Sequence, residues 1–117
     1  MTIRRLKTYA GSQGYVYQYY FVGKRPAATP PDSTEYVFDV TPDRTNTYAV
    51  SLFLPHAVVL AWLETHGRPL SDSEQYAAVK LRLLRAFDEI ANVQLEGRQL
   101  HIDVAFLEES LSSLGIE

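Results

Sequence analysis

The sequence predicts an α+β domain, a three-stranded antiparallel meander followed by two helices, room for a short hairpin, and a C-terminal helix. Three observations carry this. The β-branched and aromatic runs all lie in the first half of the chain, the apolar spacing turns helical after Pro55, and strands segregated before helices favour α+β over a wound parallel sheet. The 117 residues fit a single domain, 1–117, with 46% hydrophobic, 21% charged and 12% aromatic residues, a globular composition.

Each element has its own signal. Residues 1–13 read as a flexible basic lead-in. Gly14 to Val22 (Gly-Tyr-Val-Tyr-Gln-Tyr-Tyr-Phe-Val) is the first strand. Residues 24–34 contain Pro26, Pro30 and Pro31 and read as a proline-rich loop, longer than most connections. Glu35–Thr41 and Thr47–Leu54 are the next strands, joined by the turn residues Pro42-Asp43-Arg44-Thr45-Asn46. Pro55 suits the first helical position, Val58, Val59, Trp62 and Leu63 form a helical stripe, and His66, Gly67 and Pro69 stop it. Ser71-Asp-Ser-Glu74 is a capping box that opens a helix to about Ile90, with Tyr76, Val79, Leu83 and Phe87 on its stripe. Around Gly97-Arg98, Val93, Leu95, Leu100 and Ile102 alternate as in a short hairpin. Asp103 caps a last helix that Gly115 ends.

Composition excludes several chemistries. Without cysteine there is no disulfide framework, thiolate zinc site or cysteine nucleophile. His56, His66 and His101 have no metal-ligand spacing, and no glycine-rich phosphate loop occurs, so neither metal nor cofactor is expected. Ala49 to Leu63 is apolar but contains Pro55 and His56 and is shorter than the ~20 residues of a membrane span. The basic start is not followed by an apolar run of about 7–15 residues, so no signal peptide and a cytoplasmic setting are expected.

Charge is uneven. Residues 1–31 hold Arg4, Arg5, Lys7, Lys24 and Arg25 with no acid, and the remainder has six basic and fourteen acidic residues. Five of the eight tyrosines share the basic section. In the first strand Tyr15, Tyr17, Tyr19 and Phe21 share one face and Val16, Gln18, Tyr20 and Val22 the other, so neither side is plainly the wet one. In the other strands Val37 and Phe53 fall opposite the clearer apolar sides. An aromatic sheet face is therefore expected to meet a partner, built from Tyr15, Tyr17, Tyr19, Phe21, Val37 and Phe53, with Lys24 and Arg25 beside it. A second copy of the chain is the first candidate, another protein the next. The alternative is single-stranded nucleic acid, with rings stacking on bases and Lys24 and Arg25 on phosphates.

Gly14, Tyr15, Tyr17 and Tyr20 resemble the aromatic strand motif of RNA-recognition domains over eight residues. Gln13, Val16 and Gln18 depart from that motif, and the strand opens the sheet where the motif belongs on a third strand. Gly11-Ser-Gln-Gly14 has the spelling of the KH-domain clamp but leads into a strand. His101 and Asp103, two apart, are the best acid–base dyad available. A solvated pair beside a helix cap is the simpler reading, so an enzyme ranks below an interaction module.

Overall fold

A computed structural model describes residues 6–29 and 31–117. The elements run β1 (Lys7–Ala10), β2 (Val16–Pro26), β3 (Ser33–Thr41), β4 (Tyr48–Pro55), α1 (His56–His66), α2 (Asp72–Glu89), α3 (Val93–Glu96), β5 (Gln99–His101) and α4 (Val104–Ser113). The strands make one sheet in sequential order, antiparallel from β1 to β4 and parallel between β4 and β5. The fold is α+β, a meander followed by helices.

The helices cover one face. Tyr36, Phe38 and Val40 from β3 and Tyr48, Val50, Leu52 and Leu54 from β4 are buried there, at the period of two that a strand imposes. The long helix decides which side of β2 joins them. Its turns place Tyr76 over Phe21, ring centroids 5.1 Å apart, and Phe87 over Tyr17, stacked at 4.2 Å with planes 9° apart. Ala78 and Ala86, both buried on α2, are small enough for the helix to approach the sheet closely. Tyr17 and Tyr19 are each 4% exposed, and desolvation raises the pKa of both phenols.

Two anticipated helix starts have the expected chemistry. Ser71 Oγ accepts from the Glu74 amide at 3.2 Å while the Glu74 carboxylate accepts from the Ser71 amide at 2.9 Å. The same carboxylate takes a two-pronged contact from Arg68, at 2.9 and 3.0 Å, whose guanidinium lies 4.9 Å from the Trp62 ring centroid. Asp103 caps α4 by accepting from the Phe106 amide at 2.7 Å. Gly67 ends α1 at φ 77°, a left-handed turn that a glycine adopts without a Cβ clash. His66, in the last turn of α1, stacks on Trp62 at 4.1 Å and meets Glu108 of α4 at 2.9 Å.

Three expectations need correction. Residues 7–10 of the basic lead-in form β1, from Lys7↔Tyr19 to Ala10↔Val16, whereas residues 1–5, including Arg4 and Arg5, lie outside the described residues. Anchoring explains the order. Asp88 of α2 accepts from the Tyr9 hydroxyl at 2.8 Å and the Ser12 amide at 2.9 Å. Gly11 sits against the backbone of Phe87, where a Cβ would lie 2.7 Å from the carbonyl oxygen. The proline-rich loop is shorter than 24–34, because β2 continues through Lys24, Arg25 and Pro26 to pair with β3; Pro30 is outside the described residues. Finally, 92–103 is not a hairpin. Asn92 caps the single turn α3, and β5 runs parallel to β4, with the Ser51 amide donating to the Arg98 carbonyl at 2.8 Å. Pairing with the edge of β4 satisfies backbone groups that a hairpin would have left open there.

Candidate functional site on the open sheet face

The face of the sheet away from the helices is built from the residues that β-alternation turns outward. Val16, Gln18, Tyr20 and Val22 come from β2, Glu35, Val37 and Asp39 from β3, Ser51 and Phe53 from β4, and His101 from β5. Val16 is 50% exposed and Val22 39%, while Tyr20 and Val37 are half-buried.

A β-bulge divides this face. Phe21 pairs with Phe38 and Gly23 with Val37, so Val22 is the extra residue. An unbroken strand would turn Lys24 outward and Arg25 toward the helices. With Val22 inserted, Lys24 pairs with Tyr36 and turns inward, and Arg25 pairs with Glu35 and turns outward. Two neighbouring cations thus serve opposite sides of the sheet.

Several polar groups on the open face are partnered across strands, while the buried Gln18 Oε1 has no hydrogen-bond partner among the described residues. Arg25 reaches Glu35 through Nε at 3.0 Å and Nη2 at 3.3 Å, and the Ser51 hydroxyl donates to the same carboxylate at 2.6 Å. The Arg25 guanidinium, then the Ser51 hydroxyl, hold the Glu35 carboxyl below its usual pKa. Tyr20 donates to Asp39, its cross-strand neighbour, at 2.7 Å. Phe53 is only 5% exposed, its ring stacked on His101 with centroids 5.2 Å apart.

The anticipated partner surface is therefore redistributed. Tyr17 and Tyr19 are in the core and Phe21 packs against it, because Tyr76 and Phe87 of α2 claim that side of β2. Phe53 faces the open side but is buried by the chain itself. Val37 and Arg25 lie on the open face, Lys24 on the other, and Tyr15 is exposed just ahead of β2. The stacking surface for single-stranded nucleic acid is thereby dispersed, since Tyr15, Tyr17, Tyr19, Lys24 and Arg25 share no one face. The resemblance to the RNA-recognition strand fails for the same reason, as its ring at Tyr17 is inside the core. Val16, Val22 and Tyr20 belong to the open face but were outside the expected surface. Their alternation with the tyrosines was legible, but which set faced outward was not.

The acid–base candidates His101 and Asp103 line one cleft of about 340 Å³ with Arg82, Arg85 and Glu109, but they are not coupled to each other. The Asp103 carboxylate is occupied by the Phe106 amide, His101 stacks on Phe53, and no hydrogen bond joins His101 to Asp103 among the described residues. His56 lies 3.3 Å from Thr34 Oγ1. Among the described residues no three His, Asp or Glu side chains come together as a metal site, and no helix is long and apolar enough to cross a membrane. Comparison with protein-family models, with curated proteins and with solved structures finds no match to this chain.

Proposed function

We propose that this chain is a cytoplasmic, non-catalytic assembly module whose open sheet face pairs with the same face of a second copy about a two-fold axis. One-sided coverage carries the reading. The helices pack on one face, and the other presents Val16, Val22 and Val37 between the Tyr20–Asp39 and Arg25–Glu35–Ser51 groups, which are partnered within the chain. Docking such a face buries Arg25 and Glu35 as a pair, and Asp39 enters it hydrogen-bonded to the Tyr20 hydroxyl. Strand spacing and rise give the paired region roughly 500 Å² per copy, and so about 1,000 Å² in a pair, the lower threshold for a specific interface. The dimer is accordingly reversible. A two-fold contact uses one patch twice and needs no second complementary surface.

Light scattering over a tenfold concentration range at two salt concentrations tests this. The expected result is a mass rising toward two chains with little salt dependence, reduced to one chain by Val22→Asp or Val37→Asp without loss of fold. A chain that stays monomeric throughout, or a dimer that survives both substitutions, would overturn the reading.

A further inference from the structure

The inner side of the sheet emerges from beneath the N-terminal end of α2 as a groove, independent of the open face. Lys24, turned inward by the bulge, lies with its Nζ 5.8 Å from the Tyr36 ring centroid and 3.6 Å from Asp72. Cavities of about 390 and 380 Å³ adjoin at this ion pair, which lines both. The first is walled by the rings of Phe21, Tyr36 and Tyr76 and by Ser73 in the first turn of α2. Both volumes are in the range of small-molecule sites.

Tyr36 is 1% exposed, and its buried hydroxyl has no hydrogen-bond partner among the described residues. Burying a donor unpaired is costly, so a buried hydroxyl beside a cavity invites an acceptor. Burial, with Asp72 adding to it, raises the phenol pKa and keeps the hydroxyl a donor at neutral pH. The ammonium of Lys24 adds a further attraction for negative charge, beside a helix N-terminus that Ser71, Asp72 and Glu74 already serve. Asp72 is a weak competitor, because its side chain is 88% exposed and ion pairs in water contribute little.

We propose that this groove binds a small organic carboxylate with an aromatic or similarly flat apolar body. The body lies among Phe21, Tyr36 and Tyr76. The carboxylate takes Lys24 from Asp72, and the movement of that flexible side chain opens the Tyr36 hydroxyl, which donates to it. The juxtaposition is specific: three rings supply the walls, and the Lys24 ammonium and the Tyr36 hydroxyl offer donors beside the Ser73 hydroxyl, with Asp72 the carboxylate to be displaced.

Phenylacetate, titrated while amide resonances are followed by NMR, is the probe. Its size sets an expected dissociation constant on the order of 1 mM. Saturable shifts should appear at Lys24, Tyr36, Ser73 and Tyr76, with phenethylamine producing none there. Tyr36→Phe, which keeps the ring and removes one hydroxyl, and Lys24→Met should each weaken binding about tenfold. Asp72→Asn should tighten it by freeing Lys24, an effect that loss of packing would not produce. No saturable shift at about twenty times the expected constant would overturn the proposal. So would binding indifferent to Tyr36→Phe and Lys24→Met, or a preference for the amine.

Discussion

Replacing Phe87 with alanine removes the ring against which β2 is held. Phe87 is fully buried, stacks on Tyr17 at 4.2 Å, and also meets Tyr19 at 5.8 Å and Tyr9 at 6.0 Å. Truncating a buried Phe to Ala costs about 3–5 kcal/mol, combining lost transfer energy with the cavity left behind. The upper part of that range is expected, because tyrosines from two strands line the space and sheet hydrogen bonds prevent their collapse into it. Unfolding entropy for a chain of this length is about 0.25 kcal/mol/K, so the melting temperature should fall by roughly 16–20 °C. Urea denaturation of wild type and variant, followed by circular dichroism, measures the loss directly. A cycle of Tyr17→Leu, Phe87→Leu and the double variant isolates the stack, with an expected coupling of about 0.5–1.5 kcal/mol. A loss below about 1.5 kcal/mol for Phe87→Ala, with no measurable coupling, would refute the reasoning. The aromatic side of β2 would then face solvent, as one reading of its alternation allows.

Two other predictions concern sites the structure distinguishes sharply. Gly11→Ala should destabilise by about 1–3 kcal/mol, since its Cβ would lie 2.7 Å from the Phe87 carbonyl oxygen, an atom of a packed helix backbone. Gly23→Ala at the bulge meets nothing within 4 Å among the described residues and should change stability little; equal losses at the two glycines in a denaturation assay would contradict this. The Glu74 carboxyl is held at about 2, first by the Arg68 guanidinium and then by the Ser71 amide. The unfolded chain, with its usual carboxyl near 4.5, binds that proton more readily, so the stabilisation is complete above about pH 4.5 and fades as pH falls toward 2. Glu74→Gln retains a capping-box residue but no titration. The gap between its denaturation midpoints at pH 7 and pH 3 should therefore be narrower than in wild type, and an unchanged gap would count against the Arg68 pairing.

Much of the helical half was legible because its signals are local. Ser71 and Glu74 announce the start of α2 within one turn, Asp103 does the same for α4, and Gly67 marks the end of α1. The strands at Glu35–Thr41 and Thr47–Leu54 were visible in the alternation of aromatic and β-branched residues, to within two residues of their observed limits. β1 was missed because Lys7–Ala10 carries no strong strand signal, and its order depends on Asp88 and Phe87, near the other end of the chain. The segment around Val93 and Leu95 alternates well enough for a hairpin. Its actual partner, the edge of β4, leaves no trace in the local sequence.

The candidate sites divide in the same way. Local residue pattern determines where strands, caps and turns fall, because those choices rest on contacts within about four residues along the chain. It also identified the unusual content of β2, with large apolar groups on both sides. It left undetermined which side is inside, because an alternating strand is symmetric until something packs on it. Tyr76 and Phe87, brought across by α2, settle that choice and place Tyr17 and Tyr19 in the core. The bulge at Val22 then separates Lys24 from Arg25, giving one to the groove and the other to the open face. Face selection, register and edge pairing depend on residues far apart in the chain, and only the assembled sheet and helices bring them together.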